Sequence, residues 1–296
     1  MRSKLIKSKW WHRYHEYFFE QTGPLNLVLF RIFLGLLVIY VVLDWQPALL
    51  FWLENPGHKY PSEFVSDLIL GFLNVSNPVH CVYILSSLAI GSAAMVTVGF
   101  ATRIHCGICF LALMALRRLY PPVVNNADAL IANLLLFLAL SPAGRYFGID
   151  AVINRSKTQY PVWPLRLLQW QIGALYISTA IRKFASPAWR EGSSVYYTTR
   201  AWAYMYGWVG LPEIFDNKWL LQLLAWGIPC LELTLGVLLP IGYFRWPLII
   251  LGVSFHFGLF ITMSSITRIW QLVMIGSYLL FLPTRSSGRK GRIANS

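Results

Sequence analysis

Between Arg166 and Arg182 the chain runs through about 15 residues without a charge, roughly 22 Å of helix at 1.5 Å per residue. That length nearly spans a bilayer core once the flanking cations reach to the interfaces. Comparable apolar runs recur along the whole sequence. Hydrophobic residues make up 56% and charged residues only 12%, against about 25% charged in soluble domains. The chain therefore reads as a polytopic membrane protein. Its 13 Trp suit rings that sit at bilayer interfaces. The net charge of +13 lies mostly in loops, tails and helix ends. Topology and anionic lipid account for that charge, and nucleic-acid binding is not expected.

The expected fold is all-α: a membrane bundle of about eight spanning helices. They fall near residues 25–44, 80–100, 103–120, 127–143, 166–184, 219–240, 246–264 and 268–284. Residues 1–21 are basic and aromatic and read as an amphipathic interfacial segment, not a cleaved signal. Residues 22–284 form the membrane domain, and residues 285–296 a basic tail. Lys and Arg are denser in the N-terminal segment, in residues 144–165 and in the tail. By the positive-inside rule both termini are cytoplasmic, in a cytoplasmic (inner) membrane, and the long connections 45–79 and 184–218 face outward.

Charges inside spanning helices are costly and usually face the protein interior. Counted from the inner helix ends, Arg31 lies roughly 9 Å deep, Glu232 roughly 12 Å and His256 roughly 15 Å. The three are expected in one layer, either as an Arg31–Glu232 pair with a hydrogen-bonded His256 or with a direct functional role.

The outer layer reads differently. Gln169, Tyr176 and Lys183 recur every seven residues along one side of a helix. Lys183 stands near its outer end, and Asn126 and Asp128 open the fourth helix on the same side. Lys183 is either a snorkelling boundary lysine or a partly desolvated amine serving as general base. Asp128 also suits a helix first turn, and Trp189 an interface anchor.

The cysteines Cys81, Cys106, Cys109 and Cys230 complete neither a disulfide framework nor a metal site. Cys106 and Cys109 form a CxxC beside His105, open to a redox reading or to simple helix packing.

The stretch QIGALYISTAIRKFASPAWREG resembles the Q…Y…(R/K)K…W-x-(E/D)-G segment of the vitamin K-dependent gamma-carboxylase membrane domain. That domain belongs to the HTTM (horizontally transferred transmembrane) family. LVLFRIFLGLL, NNADALIANLLLFLALSPAGRYFGIDAV, LELTLGVLLP and VSFHFGLF resemble further family segments in the same order. The resemblance implies that Lys183 is the base that deprotonates a reduced, vitamin K-like quinone. Oxygenation of the quinol then yields a strong base for glutamate carboxylation. Two departures stand against a direct transfer. Ala127 replaces the histidine that follows the NN pair in the carboxylase, and the substrate-binding lumenal region is not in this sequence. Short bacterial relatives include the maturation protein of a sporulation-delaying peptide.

The leading expectation is thus an enzyme-like protein of the lipid bilayer with an outward-facing, lipid-accessible site, for which the resemblance implies a carboxylase-like lyase or ligase. Lys183 is its catalytic base, with Tyr176, Asn126, Asp128, Trp189, Glu191 and His256 in support and Arg31 and Glu232 as intramembrane structural residues. A reduced quinone is the implied cofactor, and a secreted peptide or protein the implied partner. The alternative is a non-enzymatic scaffold or a helper in peptide toxin maturation or export.

Overall fold

The computed structural model describes residues 2–54, 78–119, 126–154, 160–206, 216–262 and 265–283. The described chain is all-α apart from one two-residue strand pair. Its helices are α1 (Arg2–Phe19), α2 (Leu25–Glu54), α3 (Pro78–Val98), α4 (Thr102–Leu119), α5 (Asn126–Leu140) and α6 (Ile149–Asn154). They continue with α7 (Trp163–Ala185), α8 (Pro187–Arg190), α9 (Ser193–Tyr206), α10 (Lys218–Ile241), α11 (Arg245–Thr262) and α12 (Ser265–Ser277).

Each expected apolar run holds a helix among the described residues, the last giving way to a 3-10 turn over Tyr278–Phe281. Among the described residues, Leu25–Phe51, Val79–Val98 and Lys218–Ile241 are long and apolar enough to cross a membrane. Asn126–Leu140 and Arg245–Ile261 are shorter apolar helices. The first helix outruns its expected end because Trp45 and Leu49 are buried and carry it through Pro47. The connection expected over 184–218 is partly helical, holding α8 and α9. The rest of the 45–79 connection, from residue 55 to 77, lies outside the described residues, as does the 284–296 tail.

The chain divides into two compact units. The first comprises the described residues up to 168. Here α2, α3, α4 and α5 pack in sequence order, each against the next. Gly35 and Thr97 mark the close approach of α2 and α3. The N-terminal segment is tied down by the strand pair, with Gln21 opposite Pro161 and Thr22 opposite Tyr160. The Arg166 guanidinium stacks 4.1 Å from the Tyr17 ring centre. Tyr160 and Tyr146 lie ring against ring at 5.7 Å, and burial pushes both phenols above their ordinary range, which keeps them neutral.

Arg31 anchors the loop after α5. It is 1% exposed, and its Nη1 donates to the carbonyls of Ala143 at 2.8 Å and Tyr146 at 3.0 Å. Nη2 donates to the Phe147 carbonyl at 2.7 Å. Gly99, at φ +75, and Gly148 lie against the guanidinium, where a Cβ would stand 2.5 and 2.9 Å from Nη1. Asp150 then caps α4, accepting from the Ala101 and Thr102 N–H groups at 2.9 and 3.2 Å. Arg31 is thus held by backbone carbonyls of its own unit. Three fixed carbonyls take up both Nη ends of the planar guanidinium fork.

The second unit comprises residues 169–283. Asn217 caps α10, its side chain accepting from Trp219 N–H at 2.9 Å. Gly242, at φ +94, closes the other end in the left-handed conformation that favours glycine. The short α8 and α9 pack on the start of α10 through Val195, Leu221, Ala225 and Trp189. α11 packs on α12. α7 and α10 meet backbone to backbone at Gly173 and Gly236. A Cβ on either would stand 2.7 or 2.9 Å from the other's carbonyl oxygen. Close glycine contact of this kind is how apolar helices approach in membranes.

Candidate functional site

The glycine contact sets the register of the polar residues in the second unit. Tyr176 lies beside Gly236, and Glu232 stands one turn earlier on α10. Lys183 stands seven residues beyond Tyr176 on α7. The helices run antiparallel here, so Lys183 and Glu232 meet. Lys183 Nζ donates to Glu232 Oε1 at 2.5 Å, a short charge-assisted hydrogen bond. The Lys183 side chain is 20% exposed and that of Glu232 9%. The Trp189 ring, delivered by α8, lies 4.7 Å from Lys183 Nζ and gives it a cation–π contact. The carboxylate uses one oxygen for this pair. Glu232 Oε2 is buried and has no hydrogen-bond donor among the described residues.

Tyr176 begins a second polar cluster. Its hydroxyl lies 2.7 Å from His256 Nε2 and 2.7 Å from the Tyr278 hydroxyl. His256 Nδ1 lies 2.7 Å from Gln271 Oε1. An amide oxygen only accepts, so Nδ1 carries the imidazole proton and Nε2 is the acceptor. Tyr176 therefore donates to His256, and Tyr278 donates to Tyr176. The result is a directed chain, Tyr278 to Tyr176 to His256 to Gln271. Gly252 makes room for it, because a Cβ there would collide with the Tyr278 hydroxyl. Gln169 Nε2 donates to the Leu280 carbonyl at 2.7 Å and fixes the turn that carries Tyr278.

The structure thus brings together Lys183, Glu232 and Trp189, and joins Tyr176 to His256. Glu232, expected to pair with Arg31, pairs with Lys183. His256, expected in a layer with Arg31, gives both ring nitrogens to Tyr176 and Gln271. Glu191 is exposed, and its backbone closes α8 by donating to Pro187. Asn126 and Asp128 belong to the first unit, where both stand in the first turn of α5. Asn126 is exposed and Asp128 1% exposed. Gln271, Tyr278, Gly252 and the Gly173–Gly236 contact were not singled out from sequence. Gln271 and Tyr278 are polar groups in an otherwise apolar terminal stretch, and that was the available signal.

Cys106 and Cys109 are free and fully buried, and Cys109 Sγ donates to the Ala89 carbonyl at 3.6 Å. Among the described residues no cluster of metal-ligating side chains is found.

A chain of helices this apolar, carrying a buried ion pair and a hydrogen-bonded polar chain, is an integral membrane protein. It belongs to the HTTM domain family, whose model matches residues 19–285. No curated protein and no solved structure matches the chain.

Proposed function

We propose that this protein is a membrane enzyme whose Lys183–Glu232 pair accepts a proton from a lipid-soluble, quinol-type substrate. The carrying observation is the 2.5 Å ion pair, nearly buried, with one carboxylate oxygen unused. An ion pair of this kind keeps its charges close to neutral as a unit, yet offers a basic oxygen in a low-dielectric setting. Trp189 supplies an aromatic face beside it, suited to a flat ring. On this reading the domain crosses a cytoplasmic membrane about eight times, with α1 on the inner interface, both termini inside and the lysine end of α7 toward the outer face. Resemblance to the gamma-carboxylase membrane domain extends the proposal to modification of a secreted peptide.

Mass spectrometry of lipids co-purified with wild-type protein and with Lys183→Ala tests the reading. A quinone enriched by wild type and altered in occupancy or redox state by the substitution is the expected result. Absence of any enriched quinone in wild type overturns it. Labelled carbon dioxide entering secreted peptides would then test the carboxylation step.

A second reading has one observation in its favour: the same ion pair and cation–π contact fasten α7 to α10 and α8. A scaffold or peptide-maturation helper would need only that fastening. Lys183→Met combined with Glu232→Leu separates the two, since it replaces the fastening with apolar contact and removes every proton acceptor of the pair. The scaffold tolerates it, and the enzyme does not.

A further inference from the structure

We infer that Glu232 Oε2 is the atom that receives the substrate's hydroxyl, accepting its hydrogen bond and then its proton, while Lys183 holds Oε1 and positions the carboxylate. This inference rests on the proposed quinol-type substrate and names the contact within that site. The sequence ranked Lys183 as the base and Glu232 as structural. The geometry reverses the order of contact. Lys183 Nζ is already engaged with Glu232 Oε1 at 2.5 Å and faces the Trp189 ring. An ammonium in that position has no lone pair for a proton. Glu232 is more than nine-tenths buried, and its Oε2 has no hydrogen-bond donor among the described residues.

A buried carboxylate oxygen without a donor is costly, so a site of this kind favours a ligand that brings an O–H. The step balances simply. The substrate O–H bond breaks, its proton goes to Oε2, and the electron pair stays on the substrate oxygen. The Lys183 ammonium beside it stabilises the new anion. A quinone, which has only carbonyl oxygens, offers Oε2 nothing and meets it as acceptor against acceptor. Glu232 thereby makes the site selective for the reduced form.

The experiment compares durohydroquinone with duroquinone, whose methylated ring does not add to thiols. Binding of each to full-length protein in phosphatidylglycerol–phosphatidylethanolamine nanodiscs is measured by equilibrium dialysis, with empty nanodiscs subtracted. Wild type is expected to favour the hydroquinone by about tenfold or more, the scale of one hydrogen bond to a charged acceptor. Glu232→Gln keeps the size and an oxygen for Lys183, and is expected to bring the ratio close to one. An undiminished ratio in Glu232→Gln overturns the assignment while leaving the proposed function standing. No binding of either probe by wild type overturns both. If Glu232→Gln loses its native elution profile, the infrared difference spectrum of wild type decides. Hydroquinone, and not quinone, must shift a carboxylate band that Glu232→Asp displaces, and an unshifted band overturns the assignment.

Discussion

The hydroxyl of Tyr278 occupies the space that a side chain on Gly252 would fill. That single absence lets the phenol reach Tyr176 across the backbone of α11, four residues before His256. Gly252→Ala is therefore expected to push Tyr278 out of the polar chain. Overpacking of this kind costs about 1–3 kcal/mol. Unfolding in detergent micelles, followed by circular dichroism, should show that loss. Adding Tyr278→Phe should recover part of it, because the two substitutions act on one contact and will not be additive.

The tautomer of His256 follows from Gln271. With the amide oxygen 2.7 Å from Nδ1, the ring keeps its proton there and leaves Nε2 to accept from Tyr176. Nitrogen NMR of histidine-labelled protein should show one imidazole with a protonated Nδ1, assigned by its disappearance in His256→Asn. Gln271→Leu removes the acceptor, and the signal should move toward the Nε2–H form. A wild-type His256 protonated at Nε2 would contradict the chain of donors described above.

Much of this architecture was legible in the sequence. Apolar runs of bilayer length fix helices almost regardless of detail, because no other structure satisfies backbone groups in lipid. The positions of Lys183, Glu232 and His256 were legible as exceptions to that apolarity. Their partners were not. Counting depth from helix ends does not yield the partner of Glu232, because pairing is set by which helix faces meet. Gly173 and Gly236 settle that in the second unit, and a glycine in an apolar helix is too common to be read alone. Arg31 was expected to need an anion. Its two Nη atoms donate instead to the carbonyls of Ala143, Tyr146 and Phe147, which become available only when the loop after α5 is folded around it.

Arg31 should accordingly resist conservative replacement. Arg31→Lys keeps the charge but offers a point donor where the loop presents three carbonyls in a fork. Each buried carbonyl left without a donor costs about 1–3 kcal/mol. The expected outcome is a clear loss of thermal stability in detergent, with proteolysis appearing in residues 141–150. Wild-type melting in Arg31→Lys would show that the guanidinium geometry is not required.

The cysteines separate by exposure. Cys230 is exposed on α10, whereas Cys81, Cys106 and Cys109 are buried. N-ethylmaleimide in detergent should label Cys230 in the folded protein and the other three only after denaturation. Cys106→Ser with Cys109→Ser should leave substrate turnover unchanged, because the expected redox reading of the CxxC needs thiols that a partner can reach. Rapid labelling of Cys106 in folded protein would restore that reading.

Removing one half of the Lys183–Glu232 pair should cost more than removing both. Lys183→Met leaves the Glu232 carboxylate buried without its cation. That penalty runs to about 3–5 kcal/mol for a fully enclosed pair, and the 20% exposure of the lysine side chain places this one near the lower end. Lys183→Met combined with Glu232→Leu removes both charges and restores apolar contact, and should recover most of the loss. The double-mutant cycle reads this coupling directly in detergent unfolding. Turnover gives the complementary measure. The double variant should be nearly as stable as wild type and inactive, which separates what the pair does for the helices from what it does for the substrate.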